Sequence, residues 1–163
     1  MKREILIVDD EPLMREPIAE ILRSDGFFVE EASQGTEALK KLGKKDFDLM
    51  ITDVLMPGMN GIELIRELHK VSPATEAIVF SAFGTEATRD KLERMGAFGY
   101  LDKPVRREIL LEMVVAGIKS NRMVRLGYED KKPQVSFNRE RVLVVDDDNT
   151  IRDLVSTILS EKG

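Results

Sequence analysis

Short apolar runs alternate with amphipathic segments along most of the chain. The runs predict five β-strands, at residues 5–8, 27–29, 47–51, 77–80 and 98–101. After each run, apolar residues recur at three- and four-residue steps and predict five helices, at about 12–25, 35–43, 61–70, 85–95 and 105–124. Strands separated by helices pair in parallel through right-handed crossovers. The pattern therefore predicts an α/β fold with a doubly wound five-stranded parallel sheet and helices on both faces.

The first helical segment shows how the pattern assigns an inward face. Pro12 lies where a first helical turn tolerates proline, and Gly26 follows the last helical position. Four apolar residues of this segment share one side of the helix and are predicted to face the core: Met14, Ile18, Ile21 and Leu22.

The end of the chain repeats its beginning. Residues 141–163 align with residues 4–26, and the pair Asp146-Asp147 follows an apolar run as Asp9-Asp10 does. We therefore expect residues 1–124 to form one complete domain and residues 140–163 to be the truncated start, one strand and one helix, of a second domain of the same kind.

A segment without apolar periodicity separates these two parts. Residues 125–139 contain Gly127 and Pro133 and are predicted to be a linker. The short segment after it cannot bury enough surface to fold by itself. It is expected to dock, to stay partly disordered, or to complete another chain's sheet by strand exchange and give a homodimer.

Composition narrows the class of protein. The 163 residues are 42% apolar and 34% charged, which is enough for one good core. No apolar stretch approaches the roughly 20 residues of a membrane span, so we expect a cytoplasmic protein with no membrane contact. Zero cysteines and a single histidine imply that any metal is bound by oxygen atoms. The net charge of −5 argues against direct nucleic-acid binding.

Polar residues follow the predicted strands. In open α/β sheets, ligands bind outside the carboxyl ends of the strands. Five residues are predicted to meet there: Asp9, Asp10, Asp53, Ser81 and Lys103. Three carboxylates repel one another unless a cation or protons neutralise them, and magnesium, which prefers oxygen ligands, suits this role. Each aspartate taken alone could equally be a helix cap or a turn residue.

Four motifs in this order carry a family resemblance: Val-Asp-Asp-Glu at 8–11, Leu-Met-Ile-Thr-Asp-Val-Leu-Met-Pro-Gly-Met-Asn-Gly at 49–61, Ser-Ala at 81–82 and Tyr-Leu-Asp-Lys-Pro at 100–104. Residues 1–122 resemble a response-regulator receiver domain. The resemblance implies a flavodoxin-like strand order 2-1-3-4-5. It also implies that a histidine kinase or a phosphotransfer protein phosphorylates Asp53 and so switches the conformation that an output or partner detects.

The resemblance also implies roles for individual residues. The magnesium ligands would be Asp9, Asp10, Asp53 and the backbone carbonyl of Leu55. Lys103, followed by a proline that is commonly cis in this family, and Ser81 would contact the phosphoryl group, and Tyr100 would be the switch aromatic. Alternative interpretations remain for three of them: a solvated loop lysine, a strand-end cap and an ordinary half-buried tyrosine.

Two apolar residues, Leu55 and Phe83, follow the acceptor and the serine by two positions, where the family tunes hydrolysis of the phosphoryl group. Without a polar group to orient water there, we expect slow loss of phosphate. His69, between Glu67 and Lys70, is expected on a solvated helix face.

Two other functions start from the same residues. One is a magnesium-dependent phosphohydrolase with Asp53 as nucleophile, although Leu55 stands where a second acid–base carboxylate would be expected. The other is an interaction module that is never phosphorylated. The complete acceptor set favours the phosphorylation-controlled switch over both, with no enzymatic action on external substrates.

Overall fold

The computed structural model describes residues 3–82 and 85–125, which form five strands and five helices in strict alternation. The strands are β1 (Glu4–Val8), β2 (Phe28–Ala32), β3 (Leu49–Thr52), β4 (Glu76–Ser81) and β5 (Gly99–Asp102). The helices are α1 (Pro12–Ser24), α2 (Gly35–Leu42), α3 (Gly61–Val71), α4 (Glu86–Arg94) and α5 (Arg107–Arg125).

All the strands pair in parallel, in the order β2-β1-β3-β4-β5. The predicted fold class and strand order are therefore confirmed. Because the strands are parallel, their carboxyl ends lie at one edge of the sheet. We call the end of the sheet where all the strands terminate the carboxyl edge, and the end where they begin the amino edge. Neither term refers to the outer strands β2 and β5.

The alternation of side chains along β1 divides the core into two. Ile5 and Ile7 point to one face and pack with residues of α1 and α5, including Leu22 and Val114. Leu6 and Val8 point to the other face and pack with residues of α2 and α3. A central strand that is apolar on both sides is typical of a parallel sheet covered on both faces.

Strand β2 is longer than predicted. The apolar run ends at Val29, but the strand continues through Glu30 and Glu31 to Ala32. An edge strand of the sheet leaves its side chains half exposed, so charged residues fit there. Lysine and arginine side chains from α1, α2 and the loop before β3 pair with these two glutamates.

Helix α1 buries a narrower face than predicted. Ile18 and Leu22 are buried together with Ala19, whereas Met14 is 43% exposed. Ile21 is only partly buried. The apolar stripe of α1 is thus wider than the surface that the sheet covers, and the excess lies beside the carboxyl edge.

Helix α5 reaches Arg125, so the first residue of the predicted linker belongs to the helix. The rest of that linker and the predicted second domain, residues 126–163, lie outside the described residues. No helix in the described ranges is long and apolar enough to span a membrane.

Candidate functional site

Two carboxylates and one ammonium group meet at the carboxyl edge. Lys103 Nζ donates to Asp9 Oδ2 at 2.6 Å and to Asp53 Oδ2 at 2.9 Å. Asp9 follows β1, Asp53 follows β3 and Lys103 follows β5, so three loops contribute one charged group each. The Lys103 side chain is only 9% exposed. The convergence of these three residues, expected from their places in the sequence, is present in the structure.

Asp9 is held at four of its atoms. Its backbone N–H donates to the Ala32 carbonyl, and its own carbonyl accepts a hydrogen bond from Arg15. Oδ1 accepts the Glu11 N–H at 2.9 Å, and Oδ2 accepts the Lys103 ammonium. A buried carboxylate with this many partners has little freedom to reorient.

Asp53 is oriented by the backbone that follows it. Its Oδ1 accepts N–H groups from Val54 at 2.6 Å and Leu55 at 3.4 Å, and Oδ2 is left for Lys103. Gly61, the first residue of α3, lies directly against this segment, and a Cβ there would clash with the Asp53 carbonyl oxygen. The absence of a side chain at this position therefore lets α3 approach the loop that begins at Asp53.

The charge of Lys103 is maintained by its partners. Burial disfavours the ammonium form, but the hydrogen bonds to Asp9 and Asp53 outweigh burial and raise the pKa of Lys103 above its usual value. The Lys103–Pro104 peptide bond is cis, as the resemblance implies. Lys103 also lies 5.2 Å from the centre of the Phe80 ring.

Ser81 and Tyr100 lie on neighbouring strands close to this charged group. The Ser81 hydroxyl oxygen is buried and has no hydrogen-bond partner in the described part of the chain. The Tyr100 hydroxyl donates to the Ser81 backbone carbonyl at 3.2 Å. Burial, together with the negative charge of Asp102, raises the pKa of Tyr100, so its hydroxyl stays protonated as a donor. A buried hydroxyl without a partner is unusual and is available to a ligand.

Arg89 of α4 covers Tyr100, a contact that the sequence did not predict. Its guanidinium carbon lies 4.8 Å from the centre of the Tyr100 ring, and Nη2 donates to Asp102 Oδ2 at 2.6 Å. Its Nε is buried without a hydrogen-bond partner among the described residues. In the sequence Arg89 resembles the other basic residues of a very polar helix, so only the fold distinguishes it.

The donor chemistry of this edge fits magnesium in part. Asp9 and Asp53 offer two carboxylates already close enough to share one cation, and magnesium commonly uses one or two. Within residues 3–82 and 85–125, no cluster of three or more acidic, histidine or cysteine side chains is arranged around a single point. The roles of Asp10 and of the Leu55 carbonyl therefore stay predictions.

An apolar groove of about 560 Å³ opens beside Asp53. Asp53, Ser81 and Lys103 line it together with apolar residues of α1 and of the loop between β5 and α5, namely Leu13, Met14, Pro17, Ile18, Ile21, Pro104 and Val105. Leu13 is 82% exposed, and Leu55, at the same groove, is 59% exposed. The apolar residues of α1 that the core does not cover thus form a wall of this groove.

His69 differs from expectation. Its Nε2 lies 3.1 Å from the Met95 carbonyl oxygen, and its ring packs closely on Gly96. The ring is therefore half-buried between α3 and the turn after α4. His69 was predicted on a solvated helix face and is instead half-buried, because polar neighbours in sequence do not reveal which element packs beside them. Phe83 lies outside the described residues.

Comparison with known proteins assigns the chain to a family. Residues 5–115 match the family described as the response regulator receiver domain, so the chain belongs to that family. It is 39% identical over 111 residues to a response regulator receiver protein of Anaeromyxobacter, covering 68% of this chain and 47% of that protein. It is 35% identical to the chemotaxis protein CheY of Thermotoga maritima, covering 69% of this chain and 94% of that protein.

A solved structure agrees with both matches. Response regulator protein TrrA from Thermotoga maritima, in complex with Mg²⁺–BeF, superposes with a TM-score of 0.65 at 35% identity. The superposition covers 71% of this chain and 98% of that one. The chain spans 47% of the first curated relative that it matches and 25% of two longer transcriptional regulators. The described chain is thus a receiver domain of a signalling protein. The matches cover only part of the longer relatives and do not establish the activity of a whole protein.

Proposed function

We propose that this chain is a phosphorylation-controlled switch in which Asp53 accepts a phosphoryl group from a histidine kinase or a phosphotransfer protein. The observation that carries the proposal is the Lys103 ammonium, held between Asp9 and Asp53 beside the Ser81 hydroxyl, which has no partner among the described residues. In the transfer, a carboxylate oxygen of Asp53 forms a bond to phosphorus. The bond from phosphorus to the donor's imidazole nitrogen breaks, and that nitrogen keeps the electron pair and takes up a proton.

Each residue would have a separate task in this step. Val54 and Leu55 N–H groups orient the Asp53 carboxylate. Lys103 and the Ser81 hydroxyl would hold oxygens of the incoming phosphoryl group, as preorganised donors do where charge develops. Asp9, Asp53, Asp10 and the Leu55 carbonyl would hold a magnesium ion, which supplies charge neutralisation between carboxylate and phosphoryl oxygens.

The apolar groove is proposed as the docking surface of the phosphodonor protein. Asp53, Ser81 and Lys103 line it, so a donor protein seated in the groove would bring its phosphoryl group next to Asp53. Leu13 extends from α1 into solvent at its rim. A donor helix with apolar residues near its phosphohistidine would cover this surface and exclude water from the transfer.

Tyr100 is proposed as the output switch. Its hydroxyl is tied to the Ser81 backbone, so a phosphoryl group that engages the Ser81 side chain would change the partners available to Tyr100. Such a switch requires different contacts in the two states. Nuclear magnetic resonance of Tyr100 with and without a phosphoryl mimic tests it, and a single unchanged rotamer in both samples would contradict the proposal.

The phosphorylated form is proposed to be long-lived. Leu55 is exposed and apolar at the rim of the site, and it offers no group to orient an attacking water molecule. Mass spectrometry of the phosphorylated protein over time measures its decay. Loss within seconds would contradict this proposal, and Leu55→Gln should shorten the lifetime.

Intact mass after treatment with a small-molecule phosphodonor and magnesium tests the central proposal. The wild type should gain one phosphoryl group and Asp53→Asn should gain none. Asp48→Asn is the matched control, because Asp48 lies just before the same strand but binds the Glu4 N–H at the amino edge. No gain in the wild type would favour an interaction module, whereas a gain that persists in Asp53→Asn would place the acceptor elsewhere.

A further inference from the structure

Arg15 of α1 connects Asp9 at the carboxyl edge to strand β2. Its Nη1 donates to the Asp9 carbonyl oxygen at 2.5 Å, and its Nε donates to Glu31 Oε2 at 3.0 Å. Its side chain is 14% exposed although arginine is usually at the surface. We propose that Arg15 is a positioning residue that fixes Asp9 for the divalent cation. This inference rests on the proposed function.

The contact with Asp9 closes a small ring of hydrogen bonds. The Glu11 N–H donates to Asp9 Oδ1, and the N–H groups of Met14 and Arg15 donate to the Glu11 carbonyl. The Arg15 side chain then returns to the Asp9 carbonyl. Helix α1 has no side-chain cap at Glu11, so this ring is what ties its first turn to the aspartate.

Asp9 cannot easily replace this partner with water. The residue is 3% exposed, so without Arg15 its carbonyl oxygen would be left buried and unpaired. An unpaired buried carbonyl is unfavourable, and the loop can avoid this cost by moving. Movement of the Asp9 backbone would carry the carboxylate away from Asp53.

Glu31 holds the guanidinium in place. It accepts from Arg15 through one oxygen and from Arg23 through the other, at 3.0 and 2.8 Å. Burial opposes its ionised form, but the two arginines outweigh burial and lower the pKa of Glu31. It therefore remains charged at neutral pH and keeps Arg15 directed at Asp9.

Charge and position act on cation binding in opposite directions. A guanidinium near a cation site repels the cation, so removal of its charge alone should strengthen magnesium binding. Loss of the Asp9 contact should weaken binding, because partners of ligand residues commonly contribute about 10–100-fold in metal affinity. The sign of the change therefore separates a positioning role from a purely electrostatic one.

Magnesium titration followed by backbone amide resonances measures this effect in the full chain. We expect Arg15→Gln to bind magnesium about 10-fold more weakly, the lower end of that range, because Arg15 contacts the backbone and not the carboxylate of Asp9. Arg15→Lys keeps the charge but cannot reach both acceptors as a planar fork does, so its loss should be intermediate. The amide spectra also report whether each variant is folded.

Arg23→Gln is the matched control. Arg23 also binds Glu31 and carries the same charge, but its other contact is the Val29 carbonyl, not Asp9. Its magnesium affinity should stay close to that of the wild type. If Arg15→Gln does not fold, the comparison of Arg15→Lys with Arg23→Gln decides.

Three outcomes would overturn the inference. Unchanged or tighter binding in the Arg15 variants would show that Arg15 does not position Asp9. Equal weakening by Arg23→Gln would assign the effect to Glu31, which both arginines bind, because loss of positive charge alone should strengthen binding. A wild type that binds no magnesium would instead remove the metal-dependent part of the proposed function, and this inference with it.

Discussion

The two edges of the sheet use similar polar residues in different ways. At the amino edge, the Thr75 hydroxyl bonds both the Ser72 hydroxyl and the Phe47 carbonyl, and Ser120 donates to the buried Glu76. At the carboxyl edge, the Ser81 hydroxyl is as deeply buried but has no partner among the described residues. These hydroxyls at the amino edge are thus satisfied within the fold, whereas the Ser81 hydroxyl at the carboxyl edge keeps its bonding capacity for a ligand.

The two edges also contain a matched pair of lysines. Lys45 bridges Glu4 and Glu30 at 2.8 and 2.9 Å at the amino edge, much as Lys103 bridges Asp9 and Asp53. The Lys45 side chain is far more exposed than that of Lys103. The two lysines thus make similar ion pairs, one near the surface and one buried. Substitution of each lysine tests whether only the buried one serves phosphorylation.

The largest effect is expected from Lys103→Met. Removal of a preorganised charged donor should slow phosphorylation of Asp53 on the order of 100-fold. The same change removes a competitor for Asp9 and Asp53, so magnesium binding should tighten. Phosphorylation rates from intact mass and magnesium titration measure both effects. Lys45→Met is the control and should leave both unchanged, and a similar slowing in the two variants would contradict the contrast between the edges.

The next effect is expected from Ser81→Ala. The hydroxyl makes no hydrogen bond to any residue in the described ranges, so the free energy of unfolding should change little. A lost bond to a charged phosphoryl oxygen is worth about 1.5 kcal/mol or more, which slows phosphorylation about 10-fold. Urea denaturation and phosphorylation rates together test this. A large loss of stability with an unchanged rate would show that Ser81 serves the fold.

Thr75→Val should give the opposite result. It removes two buried hydrogen bonds at the amino edge and should lower the free energy of unfolding by about 1–3 kcal/mol. Phosphorylation of the folded protein should be unaffected, because Thr75 lies at the other end of the sheet. Urea denaturation beside the Ser81→Ala protein provides the comparison, and slower phosphorylation in the folded Thr75 variant would link the two edges.

The smallest effect concerns acid stability. The pKa of Glu31 is lowered on folding, so its stabilisation is fully present above its usual value of 4.5 and is lost as the pH falls through the folded value. Glu31→Gln should therefore reduce stability at pH 7 by less than about 1 kcal/mol, with the difference from wild type shrinking below pH 4.5. Urea unfolding of both proteins at several pH values measures this difference in the free energy of unfolding. A difference that does not change with pH would contradict the lowered pKa of Glu31 as its cause.

The sequence predicted the fold because strands and helices alternate strongly, and parallel strands necessarily bring their ends together. The same reasoning predicted that Asp9, Asp53 and Lys103 meet. It could not predict Arg89 on Tyr100, because helix packing decides which basic residue of a polar helix turns inward. For Arg15 a signal existed, since the repeated segment has Arg152 at the matching position, but the role of Arg15 depends on Glu31 of a neighbouring strand.

The errors share a physical cause. The charged half of β2 and the exposed Met14 of α1 both depend on which neighbours cover an element, and a pattern of apolar and polar residues describes only the element itself. At edge strands and groove walls, the apolar pattern of an element differs most from its actual burial by neighbours.

Gly61 sets a spacing rule for any protein designed on this scaffold. Its missing side chain lets α3 contact the Asp53 carbonyl, whereas Gly58, in the same loop, faces open space with a positive φ of 75°. A designer could place asparagine at position 58, where a left-handed backbone tolerates it. Any larger residue at position 61 would force α3 and the segment after Asp53 apart, so a design that keeps this loop conformation needs glycine there.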